Sequence, residues 1–352
     1  MRRLIKPIFA VIPAVFWITI SAMILPETTY AKKPSWDFHF NLGAAYDNNI
    51  LNYSDADLDQ FDTTATDSAG KFGIESKDDF IFSPRADIGL KAKFLNHTFQ
   101  AGCGAGYYIY AKNDAKNYAS ANIWMRQFLR KATYLELAGS YLPDYYYRNL
   151  YATGAGFRKA RFSKLGFEVK LAFPIHKSLR GSLIYNYYNK DFNTYFDERD
   201  LKAHTFGFDL SFRPVRLYRI WGGYEYAIAR SAGRDNPNDR RDTSYDMFLI
   251  RLGSQLYLTG LENRELRVGA SITFKDILFQ TDKLTAEDRY RFGRQDNRWS
   301  ITLNAAQDIT KKLAVGFVLN RLINKANLDA KELKPYLDFS STSAKIVFDY
   351  SF

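Results

Sequence analysis

Cysteine occurs once in 352 residues, at Cys103. A single thiol excludes an intramolecular disulfide and any cysteine-based metal cluster. Histidine is almost as scarce, present only as His39, His97, His176 and His204. A catalytic histidine needs its acid or nucleophile within hydrogen-bond reach. His97 and His176 flank tight turns, His204 lies on an apolar strand face, and His39 falls near the start of the first strand. No Ser–His or Asp–His set gathers them, so the chain reads as non-enzymatic. No phosphate-cradling glycine loop is present, and neither a cofactor nor a nucleic-acid partner is expected. Asp55, Asp57, Asp59 and Asp62 crowd one stretch, but Gln60 and Thr66 stand where a calcium loop counted from Asp55 requires Gly and Glu. That stretch reads as a solvated acidic loop, and no metal site is expected. Past the N-terminal leader, no segment approaches the roughly 20 consecutive apolar residues that a spanning helix needs.

The leader itself holds Arg2, Arg3 and Lys6, an apolar run from Pro7 to Leu25, and small residues at Thr29 and Ala31 before Lys32. A basic start, an apolar core and a small-residue end predict a secretory signal peptide over 1–31, leaving 32–352 as one domain. The apolar core is also long enough to span a bilayer, so an uncleaved anchor is the alternative.

What the chain has in quantity is aromatic residues, 16 % of the total, at a mean hydropathy of −0.34. Aromatics without long apolar runs suit a sheet in which every second residue meets lipid. From Trp36 the alternation recurs: Trp36, Phe38, Phe40, Leu42 and Tyr46 face one way, His39, Asn41 and Asp47 the other. Thirteen further strands are predicted, at Phe80–Phe94, Phe99–Tyr110, Tyr118–Leu129, Thr133–Tyr147, Phe162–Phe173, Leu179–Lys190, Ala203–Arg213, Leu217–Ile228, Tyr245–Leu258, Leu266–Gln280, Asn297–Ile309, Leu313–Asn324 and Thr342–Phe352. Pro84 inside the second predicts a bulge or a gap in the ladder. Cys103 falls on the apolar face as a small lipid-facing residue.

The connections alternate too. Leu95-Asn96, Arg130-Lys131, Ile175–Lys177, Pro214–Arg216, Thr259–Asn263 and Thr310–Lys312 are tight, whereas Leu51–Asp79, Ala111–Asn117, Arg148–Arg161, Asp191–Lys202, Ala229–Ser244, Thr281–Asp296 and Lys325–Ser341 are longer and polar. Short turns on one rim and long loops on the other predict an all-β fold: a closed antiparallel transmembrane β-barrel of about fourteen strands, with short periplasmic turns and long extracellular loops. A soluble sandwich would have to hide an apolar face on every strand, and would not explain outer faces that end in aromatics.

The face opposite the aromatics then lines the lumen. It carries Arg85, Lys91, Lys93, Arg126, Lys164, Lys170, Arg180, Lys190, Arg213, Arg219, Arg251, Arg267, Lys275, Arg298 and Lys345, against Asp47, Asp87, Glu136, Asp144, Glu168, Asp209, Glu225 and Asp349. Such an interior reads either as Arg–carboxylate ladders bracing a filled barrel or as the wall of an anion-selective pore. The excess of cations favours the pore, with Arg213, Arg219, Arg251 and Arg267 expected to form a patch in the lower lumen. Gly102, Gly104 and Gly106 alternate on the inner face, where a large side chain or an inserted loop is expected to approach the wall.

The last nine residues, Ala344 to Phe352, place Phe348, Tyr350 and Phe352 on one apolar face beside the free carboxylate. This segment resembles the closing strand of Gram-negative outer-membrane β-barrels, and the resemblance implies that Phe348, Tyr350 and Phe352 form an assembly signal. Tyr46-Asp47-Asn48-Asn49-Ile50 looks like a segment of barrel porins associated with exopolysaccharide systems. The fourteen-strand count is shared with fatty-acid transporters and monomeric nonspecific porins. The predicted cleavage point lies about five residues before the first strand, which leaves little room for a fatty-acid transporter's plug. The implied location is the outer membrane, with lipid, lipopolysaccharide and the barrel-assembly machinery as partners. The expected function is a passive porin-like channel for small or polymeric anionic solutes, polysaccharide included. The alternative is a non-conducting barrel with a plugged lumen that binds at the cell surface.

Overall fold

A computed structural model of the chain describes residues 34–63 and 70–352; the leader expected at 1–31 lies outside the described residues. Fourteen strands follow in order: β1 Ser35–Asp47, β2 Asp79–Phe94, β3 His97–Tyr110, β4 Tyr118–Arg130, β5 Thr133–Ala152, β6 Gly156–Pro174, β7 Leu179–Phe192, β8 Leu201–Val215, β9 Tyr218–Ser231, β10 Tyr245–Thr259, β11 Glu265–Phe279, β12 Gln295–Asp308, β13 Leu313–Asn327 and β14 Phe339–Ser351. Each pairs antiparallel with its neighbours in sequence, and β1 pairs with β14 to close the barrel. Closure leaves no strand edge, the condition for a sheet to cross lipid, where an unpaired backbone group finds no water. The seam runs from His39 opposite Ser351 to Asp47 opposite Ser343. It extends through the last residue, whose amide donates to the Phe38 carbonyl at 3.0 Å.

Outward side chains form the lipid surface. Leu183, Leu210, Leu252, Leu303, Phe317 and Ile346 are exposed across the middle of the wall. Trp36, Phe94, Phe212 and Tyr350 are exposed toward the short-turn rim, and Tyr46, Phe80, Tyr107 and Trp299 toward the loop rim. An apolar band between two aromatic girdles is the outer surface of an outer-membrane barrel. No helix among the described residues is long and apolar enough to cross a membrane. Cys103 is on this outer face and exposed. The ladder around Pro84 has a gap but no register shift, since Phe82 opposite Ile109 and Arg85 opposite Gly106 keep one register.

Two expectations for the loop rim are corrected. The segment expected as a loop over Arg148–Arg161 is strand: β5 and β6 run to 20 and 19 residues and meet at a turn over 153–155. Register shifts between Leu142 and Tyr145, and again between Tyr146 and Arg148, break the simple alternation there. Asp144 sits in the first bulge at φ +44°. Its carboxylate accepts from the Arg161 guanidinium at 2.7 Å and is 72 % exposed. The acidic stretch is a helix, α1 Asp55–Thr63. The Ser54 hydroxyl caps it by accepting from the Asp57 amide at 3.1 Å, and Asp55 and Asp57 place negative charge in its first turn. Asp57 is buried and takes a 2.6 Å bond from the Lys71 ammonium.

The segment carrying α1 turns inward. Ile50, Leu51, Tyr53 and Phe72 pack with Tyr110 and Tyr146 in one buried cluster. Deleting Phe352 removes the seam's last backbone bond and the ring packed 4.8 Å from Tyr350. The expected outcome is a fall in the folded, heat-modifiable band of outer-membrane fractions on SDS gels run without boiling. Wild-type levels of that band would show that the end of β14 is dispensable.

Candidate functional site: the lumen wall and its unpaired cations

Strand pairing fixes which residues face inward. Arg85 and Asp87 share the inner face of β2, and the Arg85 Nε donates to the Asp87 carboxylate at 2.7 Å. Arg126 on β4 stands opposite Glu136 on β5 and donates to it at 2.6 Å. Arg251 on β10 reaches Asp209 at 2.7 Å and Glu225 at 2.8 Å, bracing β8, β9 and β10. Arg267 on β11 reaches Asp308 on β12 at 2.8 Å. These four expected lumen cations are therefore locked in ion pairs. The expectation of one patch from Arg213, Arg219, Arg251 and Arg267 changes accordingly: neutralised Arg251 and Arg267 leave Arg213 and Arg219 as its charged part.

The other eleven, Lys91, Lys93, Lys164, Lys170, Arg180, Lys190, Arg213, Arg219, Lys275, Arg298 and Lys345, make no ion pair with any described carboxylate. Apart from Lys345, at mid-height on β14, they fall into two levels. Near the short turns, Lys170, Arg180, Arg213 and Arg219 share the wall of one cavity, while Lys91 lines a smaller one beside His39 and Asp37. Lys93 is exposed toward the same rim. Nearer the loop rim stand Lys164, Lys190, Lys275 and Arg298. Lys275 and Arg298 are directly opposite on β11 and β12, Lys164 and Lys190 on β6 and β7. Unlike-charged pairs would stand at such positions if the wall were only a brace.

Three of the upper cations, Lys164, Lys190 and Arg298, rest on inward aromatics instead of carboxylates. Tyr108, Tyr118, Tyr145, Phe162 and Phe192 run around five consecutive strands with ring centroids 4.3, 5.0, 5.2 and 5.1 Å apart. The Lys164 ammonium lies 4.4 Å from the Tyr188 ring and that of Lys190 5.1 Å from Phe162. Arg298 lies 5.4 Å from Phe339 and donates from its Nε to the Asn324 side-chain Oδ1 at 3.1 Å. Ring faces hold a cation in place without cancelling its charge.

Sequence reasoning missed three members of this region, Arg148 and Arg199 assigned to loops and Tyr147 to the end of a strand. Arg148 follows the second bulge on β5, donates to the Leu51 carbonyl at 2.6 Å and lies 5.0 Å from the Tyr147 ring. Arg199, in a short 3-10 segment over Thr194–Arg199, is buried near Arg241 and Arg291. Burial, then those two charges, hold its guanidinium below the ordinary arginine value. Tyr147 lies within electrostatic reach of Arg148, Arg199, Lys190 and Arg298 and so marks where they converge. The run Tyr145-Tyr146-Tyr147, with no polar residue alternating, was the sequence signal that a bulge interrupts the strand.

The glycines divide by occupant. The space beside Gly102 is filled by the Trp124 indole, and that beside Gly104 by Asp87 and Arg85. Side chains, not a loop, use the thin wall. Among the histidines, His39 lies 3.9 Å from Asp349, His176 3.4 Å from the Ser178 hydroxyl, and His204 faces outward against the Tyr185 hydroxyl. No cluster of metal-ligating residues occurs among the described residues.

Lys116, in the β3–β4 connection, is buried. Its ammonium donates to the Tyr145 hydroxyl at 3.0 Å and lies 4.6 Å from that ring. Burial, and then the Arg148 charge, push its pKa down to about 7. Between that value and the ordinary lysine range the unfolded chain holds a proton that the folded chain has released. Folding stability contributed by this group therefore rises with pH through that window and is lowest below it. Lys116→Met should be most favourable relative to wild type at pH 6. Its advantage should shrink by on the order of 1.4 kcal/mol per pH unit between about 7 and 10. Unfolding curves of both forms across that range check this; a pH-independent difference would mean the amine is not desolvated.

No family model matches the chain, and no curated protein matches it in sequence. Among solved structures it is similar to a bacterial polysaccharide outer membrane secretin, at 6 % identity and a TM-score of 0.49 over 90 % of this chain and 98 % of the other. It is similar also to the outer membrane channel DcaP of Acinetobacter baumannii, at 10 % identity and a TM-score of 0.46 over 91 % and 97 % of the two chains. The anion-selective porin from Comamonas acidovorans shows 11 % identity and a TM-score of 0.43 over 91 % and 99 %. At these identities and superpositions the likeness concerns architecture alone. By its closed sheet, lipid band and rim asymmetry, this chain is an outer-membrane β-barrel of porin-like build.

Proposed function

We propose that the protein is a passive, anion-selective outer-membrane channel. The observation that carries this reading is the sorting of lumen charge: every expected lumen arginine placed near a carboxylate is paired with it, yet eleven expected lumen cations remain without one. A brace would leave no such surplus. Unpaired cations facing an aqueous lumen raise the local concentration of anions, as rings of Arg and Lys do in anion pores. Small anions pass on this reading, and extended acidic polymers are compatible with two successive levels of cations. Lipid and lipopolysaccharide surround the outer face, and the assembly machinery reads Phe348, Tyr350 and Phe352 on β14. Catalysis has no part in the proposal.

One observation favours a second reading, a barrel closed by its loops. The long loops are joined to one another: the Gly233 amide donates to the Glu198 carbonyl at 2.8 Å, the Asp242 amide to Asp288 at 3.1 Å, and Arg241 to the Tyr151 carbonyl at 2.9 Å. Planar-bilayer recording separates the two. The expected result is steady conductance with a reversal potential toward anions in a potassium chloride gradient, strongest at low salt, because screening shortens from about 10 Å at 0.1 M to about 3 Å at 1 M. Replacing Lys164, Lys190, Lys275 and Arg298 with Gln should move the reversal potential toward cations, by more than Arg267→Gln does. Absence of conductance supports the closed barrel; conductance with an unmoved reversal potential overturns anion selection by this level of the lumen.

A further inference from the structure

The lumen at the short-turn rim holds a cavity of about 400 Å³ whose wall combines charge with flat rings. Lys170, Arg180, Arg213 and Arg219 supply charge from the strands, and Lys177 adds its own from the turn. Asp209, the acid on the same wall, is already engaged by Arg251. Trp221 supplies one ring. Gly253 stands opposite it on β10, and any Cβ at Gly253 would collide with the indole carbons. The absent side chain therefore lets the indole lie against the wall, its other face toward the lumen. Tyr257 supplies a second ring, with the Arg213 guanidinium 4.6 Å from its centroid. Arg219 is held by a 2.8 Å bond from its Nε to the Ser211 hydroxyl and lies 5.7 Å from the Trp221 ring.

A wall built only to concentrate small anions needs the cations but not an indole laid flat by a glycine. One built for neutral solutes needs the ring but not four unpaired cations. Both are used by a ligand that carries a carboxylate or phosphate on a pyranose, whose C–H face stacks on an aromatic plane while guanidinium groups take the anion. Ser178 and Ser182, also on this wall, offer hydroxyls to the ring's own. We propose that the cavity at the periplasmic mouth is a binding site for an anionic saccharide, a sugar acid or a sugar phosphate. The proposal deepens the anion-channel reading and rests on it for the route past the cavity, not for binding itself.

Calorimetric titration of the full chain in detergent, at fixed ionic strength, tests it with four probes: digalacturonate, glucose 6-phosphate, maltose and citrate. At least one of the first two should bind about tenfold more tightly than both maltose, which lacks charge, and citrate, which lacks the ring. Trp221→Leu, which keeps apolar bulk, and Arg219→Gln should each weaken that binding by about tenfold. Both variants should retain heat-modifiable migration, which separates lost binding from lost folding. Citrate binding as tightly as the sugar anions, maltose doing so, no binding of any probe, or indifference to Trp221→Leu would each overturn the site. Sugar-anion binding by a barrel that does not conduct leaves the site standing and the channel reading fallen; anion-selective conductance without discrimination among the probes does the reverse.

Discussion

Everything in this protein depends on pairing the backbone within a solvent that offers it no partners. Fourteen strands whose carbonyls and amides are used by their neighbours, with β1 joined to β14, meet that demand. Once the sheet is closed, side-chain direction follows from parity, because neighbours along a strand point to opposite faces. Leu252 on β10 therefore meets lipid while its neighbour Arg251 meets the lumen. A one-residue slip anywhere would drive an inner row of Lys and Arg into hydrocarbon, so the seam's register matters beyond its own bonds.

Within the lumen the charges sort by what stands opposite them. Arg251 has Asp209 and Glu225 within 2.8 Å, and Arg126 has Glu136 across the strand pair. These groups are only partly exposed, and removing one partner would leave the other charge bare, so they act as braces. Lys164 opposite Lys190, and Lys275 opposite Arg298, have no such relief. Lys164, Lys190 and Arg298 are placed on tyrosine and phenylalanine faces, which fix position but leave the positive field open to the lumen. The result is a wall with ion pairs at several heights and unpaired cations gathered mainly near its two ends.

Much of this was legible in the residues. Alternation from Trp36 onward, tight turns such as Leu95-Asn96 and the aromatic end at Phe352 give fourteen strands, their order and their faces. What was not legible has physical causes. The bulges in β5 shift parity, so Asp144 sits in a bulge paired with Arg161 and Arg148 joins the inner wall, which a strict count of two cannot anticipate. The helix at Asp55–Thr63 depends on Ser54 capping and on Lys71 meeting Asp57 from a distant part of the loop. Ion pairing is long-range as well: Asp209 and Arg251 are 42 positions apart, so sequence could name both as lumen residues without showing that each cancels the other. The inner aromatic ring escaped notice because aromatics were read as lipid-facing.

The central claim is that positive potential is concentrated at two levels of the lumen. Anomalous scattering from crystals soaked in bromide measures this directly. The account predicts bromide beside Lys164, Lys190 and Arg298, and again beside Arg180, Arg213 and Arg219, with none beside Arg251. Bromide spread evenly along the wall, or rubidium in place of bromide at either level, would contradict it.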